Sequence, residues 1–390
     1  MSAVTSAQRP AMAPATTVAE LHLPPRVNFG RGALATLGPA ARGYGDKALV
    51  VTDRGLAASN ILRSVERSLG TAGVDSVIFD RVEPNPTVEQ VEAALAAGAA
   101  HNAAVVISVG GGSAHDCAKT VALVGANGGE VRDFEGVDRS AHRSLPLICV
   151  NTTSGSGADV SRYAVISDPA RELKMIIADR HLMPRLAIND PLLTVGLPRN
   201  VTMASGLDAL THAIEAYVST LASEMTDICA LRAIELIGGA LQRAVDDGDD
   251  LDARDQMMLG ALLAGLAINS ALVGAVHALA HALGGVYDLP HGVCNGILLP
   301  HVVEFNEPAA KARYTRVARI LAPGTSSRRL PGLLRSLGDR VGLPRGLAGL
   351  GVERERIPDL TRRAMADLTM TTNPRPMTEQ DVARLFEHAL

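Results

Sequence analysis

Asp208 and His212 stand four residues apart in SGLDALTHAIEAY, and His277 and His281 repeat that spacing in GAVHALAHALGG. Four residues make about one helical turn, so each pair projects from a single face of its helix. His291 follows in the loop-like DLPHGVCNG. One carboxylate and several imidazoles, gathered from two helices and a loop, form a mixed nitrogen–oxygen site for iron, zinc or manganese. A divalent ion with a vacant position is a Lewis acid, so the expected chemistry falls on an oxygen atom. A lone DxxxH or HxxxH is common on ordinary helices, where structural histidines outnumber ligands. Two such pairs, with a further histidine 14 positions after His277, are hard to assign to accident. Four ligands suffice. The geometry favours Asp208, His212, His277 and His291, with His281 one turn beyond His277, placed to contact substrate or relay a proton.

These residues need a scaffold of some size. At 390 residues the chain exceeds what one hydrophobic core usually supports, so two domains are expected. From about Pro25 to Asn189, β-rich runs alternate with helical stretches: KALVVTD (47–53), SVIFD (76–80), AAVVISVGG (103–111) and LPLICVN (145–151). That alternation predicts a parallel sheet covered on both faces. NDPLLTVGLP (189–198) reads as a junction, with two prolines and turn residues. Beyond Arg199 periodic helical segments dominate. In the first of them Leu207, Leu210, Ile214 and Tyr217 form an apolar stripe beside one carrying Asp208, His212 and Glu215. The expected organisation is a disordered tail over 1–20, an α/β domain over 21–196 and an all-helical domain over 197–390. The cleft between the two domains is the natural place for a site.

Three segments of the α/β part carry cofactor signals. GGGSAHDCAK, Gly110 to Lys119, directly follows an apolar strand. Gly110, Gly111 and Gly112 let the backbone approach a phosphate, and the helix start near Ser113 offers free N–H groups and a positive dipole end. The segment is neither the GxGxxG fingerprint nor a Walker A loop, and an ordinary strand-to-helix turn is the alternative. Asp53 ends its strand where an acidic side chain accepts hydrogen bonds from adenosine ribose hydroxyls and repels a 2′-phosphate. A plain helix N-cap is the other reading. Asn151 to Asp168, rich in small hydroxyl residues and glycine, suits either a nucleotide's phosphates and ribose or a solvated loop.

Bulk properties narrow the classes. The chain is 47% apolar with a net charge of −4 and dispersed basic residues, which argues against nucleic acid as a partner. Four separated cysteines without a CxxC pair fit a reduced, cytoplasmic protein better than a disulfide scaffold. The N-terminus lacks the apolar core of a signal peptide. Residues 257–276 are uncharged and long enough to span a bilayer. Central Asn269 and Ser270, and the absence of an aromatic belt, favour a helix apolar all round and buried inside a domain, so no membrane partner is expected.

GLDALTHAIEAYVS, then HALAHALGGVYDLPHGVCNGILLPHV, with VVTD, EPNPT, GGGS and the terminal TNPR in order, resemble the iron-activated alcohol dehydrogenases. The likeness runs from about Pro25 to the C-terminus. It implies an α/β N-terminal domain with a parallel dinucleotide-binding sheet, an all-α C-terminal domain and a site between them. Carried over by motif, the metal ligands fall on Asp208, His212, His277 and His291, and the pocket histidine on His281. The cofactor residues fall on Asp53, Gly110, Gly111, Gly112, Ser113, Thr152 and Thr153. The sequence departs from the family at Asp159, where glutamate is usual, and at Ser156 and Ser161, where threonines are. Ile268 stands where relatives often place phenylalanine, and Ala282 where proline or glutamine commonly follows the pocket histidine. The resemblance implies Fe(II), with Zn(II) as a substitute, and NAD(H) as cofactors, and a homo-oligomer built from dimers. The expected activity interconverts a primary alcohol and its aldehyde by hydride transfer, the metal polarising the substrate oxygen. Two alternatives are a reductase of a small anionic aldehyde, for which Arg162 would be the cation, and a metal-dependent lyase of related fold.

Overall fold

The computed structural model describes residues 20–171 and 173–390. The expected disordered tail, Glu20 apart, therefore lies outside the described residues. The first half alternates strand and helix: β1 (Val27–Phe29), α1 (Leu37–Arg42), β2 (Lys47–Asp53), α2 (Arg54–Ala57) and α3 (Asn60–Thr71). It continues with β3 (Asp75–Val82), α4 (Val88–His101), β4 (Val105–Gly110) and α5 (Gly112–Asn127). Five further strands complete it: β5 (Gly136–Val137), β6 (Leu147–Asn151), β7 (Tyr163–Asp168), β8 (Leu173–Ala178) and β9 (Leu186–Asn189).

Six of these strands form a parallel sheet in the order β1-β9-β6-β4-β2-β3. Its central strands are buried on both faces. Leu49 and Val51 of β2 pack with α4 and α5, while Ala48 and Val50 pack with α1 and α3. A strand covered on both sides reads as a continuous apolar run, which is why β2, β4 and β6 are visible in the sequence. Strand order reverses between β2 and β4, and a crevice opens at the carboxyl ends of strands at such a point. Asp53 ends β2 and Gly110 ends β4.

A second sheet, β5-β8-β7, was not expected. The tail of the Asn151–Asp168 segment, read as loop, is β7, which pairs antiparallel with β8, Val165 opposite Ile176. These strands are short, and β7 alternates buried with half-exposed residues. Such strands lack the unbroken apolar run that marks a central strand.

From residue 199 onward every regular element is helical. α6 (Arg199–Val218), α7 (Glu224–Asp246), α8 (Leu251–Ala271), α9 (Ala275–Tyr287) and α10 (His291–Leu321) lead. α11 (Leu330–Val341), α12 (Ile357–Ala366) and α13 (Glu379–Ala389) follow. α6 is buried on nearly all sides from Gly206 to Val218, the position of a central helix. Residues 257–276, expected as one apolar helix, are two: α8 stops at Ala271, Leu272 takes a left-handed φ of 58°, and α9 leaves at 99°. The Ser219 hydroxyl, donating to the Ala271 carbonyl at 2.5 Å, braces the turn. No single described helix is long and apolar enough to cross a membrane.

The halves meet closely where Gly157 faces Gly265 of α8. A Cβ on Gly157 would stand 2.5 Å from the Gly265 Cα, and Gly157 has a φ of +64°. Gly157→Ala therefore combines a left-handed backbone, which costs about 1–3 kcal/mol, with a backbone overlap. We expect a melting temperature lowered by several degrees in a thermal-shift assay. An unchanged value would mean that the halves separate there at no cost.

Candidate active site

Three helices supply the polar centre. α6 presents Asp208, His212 and Glu215 along one stripe, and α9 presents His277 and His281. His291, expected in a loop, is the first residue of α10. Asp288 breaks the chain with a left-handed φ of 52°, and Pro290 precedes the helix, which a fixed proline φ favours. Because His291 is helical, Asn295 lies one turn further along the same face. The sequence reading did not single out Asn295, and the four-residue spacing in HGVCN was its signal.

Asp208 Oδ1 is the hub of the cluster. It lies 3.6 Å from His291 Nε2, 3.7 Å from His277 Nε2 and 3.8 Å from His212 Nε2. The ligand atoms of Asp208, His277 and His291 all fall within 4.8 Å of one another. His212 stands outside that trio, its ring stacked on His277 at a centroid distance of 4.6 Å. The Asn295 amide nitrogen reaches all three trio atoms, at 2.7 Å from Asp208, 3.2 Å from His277 and 3.1 Å from His291. An amide carries two hydrogens and cannot satisfy three acceptors. The Asn295 Oδ1 and His212 Nδ1 atoms are also buried without a hydrogen-bond partner. The converging acceptors of Asp208, His277 and His291 therefore fit a divalent cation, which would take all three lone pairs at once.

Electrostatics point the same way. Burial pushes His212 down to about 4 and His291 well below its usual value, so both rings offer lone pairs rather than charge. His277 behaves differently: burial works against its charged form, yet hydrogen bonds to Asp208 and Glu215 carry it up to about 9. Its Nδ1 sits 2.5 Å from Glu215 Oε2, while Glu215 Oε1 accepts from the Val276 N–H at 2.7 Å. A carboxylate behind the ring fixes the tautomer and turns Nε2 toward Asp208.

His281 lies beside the trio, its ring stacked on His291 at 5.3 Å. Its Nδ1 pairs with Asp367 Oδ2 at 2.8 Å, and Asp367 Oδ1 accepts from the Thr369 N–H and hydroxyl at 2.8 and 2.7 Å. Burial would raise the Asp367 carboxyl, but His281 and Thr369 hold it well below the usual carboxylate range. Asp367 was not anticipated, since 86 residues separate it from His281.

One cleft of about 310 Å³ joins this cluster to the glycine turn: Gly112 and Ser113 line it together with Asp208, His212, His277, His281 and His291. α5 starts there without a side-chain cap, and its first N–H groups can cradle an anion. Residues 151–156 close over the turn. A Cβ on Gly111 would stand 3.0 Å from Thr153, one on Gly112 3.0 Å from Ser156, and the Thr152 N–H donates to the Gly110 carbonyl. Asp53, Gly110, Gly111, Thr152 and Thr153 do not line the cleft itself. They sit at or just past the carboxyl ends of β2, β4 and β6. Asp53 also caps α2 by accepting from the Leu56 N–H at 2.9 Å, so the helix-cap reading holds in this structure.

Arg162 does not reach the cleft. It pairs with Asp138 at 2.9 Å and His22 at 3.2 Å, in a separate cavity shared with Arg143 and Arg180. The cation expected for an anionic aldehyde thus faces elsewhere. The cleft's own lysine is Lys174, from the unforeseen β8. Its Nζ donates to Asn85 Oδ1 at 2.8 Å, and burial pushes its ammonium pKa down.

Fold and cleft together describe a two-part molecule with a nucleotide-type sheet edge facing a metal-type donor cluster. Two sequence profiles match it: iron-containing alcohol dehydrogenase over residues 24–191, and the C-terminal part of the Fe-containing alcohol dehydrogenase family over 202–390. The chain belongs to the iron-containing alcohol dehydrogenase family. It is 42% identical to alcohol dehydrogenase 4 of Saccharomyces cerevisiae over 379 residues, covering 96% of this chain and 99% of the relative. It is 38% identical to the NAD-dependent methanol dehydrogenase of Bacillus methanolicus, covering 94% and 99%. The crystal structure of a 1,3-propanediol oxidoreductase superposes with a TM-score of 0.94 at 36% identity, over 96% of this chain and all of that one.

Glu215→Gln keeps the shape of the side chain but removes the charge behind His277. We expect metal affinity to fall roughly 10- to 100-fold, measured by metal content after dialysis against graded chelator. Unaltered retention would show that Glu215 does not orient the ligand.

Proposed function

We propose that this chain interconverts a primary alcohol and its aldehyde with NAD(H), the cofactor lying along the carboxyl edge of the sheet and the substrate oxygen reaching the histidine cluster. Family membership makes the chain an alcohol–aldehyde oxidoreductase. The observation that carries the finer reading is the single cleft walled at one end by the uncapped start of α5 and at the other by Asp208, His277 and His291.

Asp208, His212, His277 and His291 would hold Fe(II), for which Zn(II) is a substitute, since affinity alone ranks zinc higher. Asp53, Gly110, Gly111, Gly112, Ser113, Thr152 and Thr153 would hold NAD(H). Bound there, the ion supplies a Lewis acid next to the substrate oxygen, and the nicotinamide supplies the hydride acceptor or donor. The rest falls to the chain's own residues. Glu215 fixes His277, and Asp367 fixes His281 by holding its Nδ1, which leaves Nε2 as the ring atom free to exchange a proton with the substrate hydroxyl. Ile268, Leu272 and Val273 give the cleft an apolar wall that excludes water around the transferring hydride. Asp53 would accept from the adenosine ribose and repel a 2′-phosphate.

NADH formation followed by absorbance, over a panel of primary alcohols with added Fe(II) or Zn(II), tests this directly. We expect turnover that disappears on chelation and returns with metal, while NAD still binds the stripped protein. Absence of turnover with every alcohol and aldehyde tried would sink the reading. For Asp53→Ser we expect the preference for NAD over NADP, as a ratio of kcat/KM values, to shrink at least about tenfold, the worth of one such contact. An unchanged ratio would assign Asp53 to helix capping alone.

A further inference from the structure

The cleft does not end at His281. A second groove begins there and shares Val165, Lys174, Ile176, His281 and Leu368 with the first. Its floor is the three-stranded sheet. Side chains alternate across a strand, so Val165 of β7 and Ile176 of β8, which stand opposite one another, share a face with Ala178. β5 extends that floor, with Val137 opposite Ala178. Lys174 interrupts it only with its stem, because its Nζ is turned to Asn85. The roof carries small residues, Ala282 and Gly285 of α9 and Ala366 of α12, with the polar Arg363 and Asp367 beside them. Two large apolar side chains flank the groove in contact with water, Val137 at 57% exposure and Leu368 at 47%.

Exposed apolar surface continuous with a cleft marks a place where an apolar ligand displaces water. From β7 across β8 to β5 is two inter-strand spacings, about 10 Å, the reach of an alkyl chain of roughly eight carbons. We propose that this groove is the binding site for the hydrocarbon tail of the substrate, so that unbranched medium-chain primary alcohols and aldehydes are better substrates than short ones. The inference rests on the alcohol–aldehyde reading above and adds the substrate class. The polar end stays at the histidine cluster, and the tail leaves past His281 and Leu368 onto the sheet. The ion pair Arg171–Glu135, at 2.8 Å, bounds the far end, where chain length stops contributing.

The test is a chain-length series, kcat/KM for straight primary alcohols from ethanol to decanol, with the metal-loaded enzyme. Each methylene seated on the floor should raise kcat/KM about three- to fourfold, with a plateau near eight carbons. Gly285→Leu supplies the control. Gly285 lines the groove and a Cβ there meets nothing within 4 Å, so a larger side chain can be added without a clash at the backbone of α9. Gly285→Leu should leave ethanol and propanol turnover unchanged while flattening the profile beyond about five carbons. Turnover of short alcohols with a flat wild-type profile would overturn this inference and leave the alcohol–aldehyde reading standing. Equal losses for short and long chains in Gly285→Leu would also overturn it, because the groove would then act on the fold and not on the tail. Absence of turnover at every length would overturn both.

Discussion

The Glu215 carboxylate is the contact on which the rest of the site depends. One oxygen takes the Val276 N–H at the first turn of α9, and the other takes the His277 ring. α9 departs from α8 at 99°, and a helix start offers N–H groups with no intrahelical partner. Glu215 meets that need from the last turn of α6, seven residues after Asp208, and so sets the depth and roll of α9 against α6. Everything else on α9 inherits that setting. His277 Nε2 turns to Asp208, and His281, one turn on, comes to rest against His291 and Asp367.

A buried carboxylate pair flanking one imidazole is a costly arrangement in a low-dielectric interior unless positive charge accompanies it. Asp208 and Glu215 are 6% and 4% exposed, and no lysine or arginine pairs with either among the described residues. The upward shift of His277 reports that deficit: it is the one ring in the trio pushed toward its charged form. A cation held between these groups would remove the deficit. The sheet half carries the opposite logic. There, uncapped N–H groups at the start of α5 present partial positive charge to the cleft. Partial positive charge at the start of α5 and the lone pairs of the histidine cluster thus line one cavity.

Much of this was legible because the signals are local. Two four-residue spacings on helices announced Asp208, His212, His277 and His281, and unbroken apolar runs announced β2, β4 and β6. What escaped depends on long-range pairing. β7 and β8 make sense only as partners of each other, since each alone is a short strand of mixed burial. Lys174 escaped with β8, and Asp367 escaped because its partner lies 86 residues away. Arg162 misled for a related reason. Its chain neighbours Ser161 and Tyr163 line the cleft, but Arg162 sits in the bend just before β7 and turns the other way, to Asp138. His291 was placed in a loop because Asp-Leu-Pro is a turn signal, yet the same proline is what starts α10.

The apolar run 257–276 shows how the chain reconciles two demands. A helix long and apolar enough to span a bilayer would carry His277 away along the axis of α8. Breaking it at Leu272, in a left-handed conformation that a leucine adopts only under tertiary constraint, redirects the chain across the face of α6. Ser219 and Thr372 hold the break from two sides, by hydroxyl donation to the Ala271 and Val273 carbonyls. Leu272 and Val273 themselves then become cleft wall. The strained turn therefore has three consequences from one conformation: it ends a buried helix, aims a histidine, and presents apolar side chains to the cleft. A chain that relaxed this turn into continuous helix would keep its apolar core and lose the cluster.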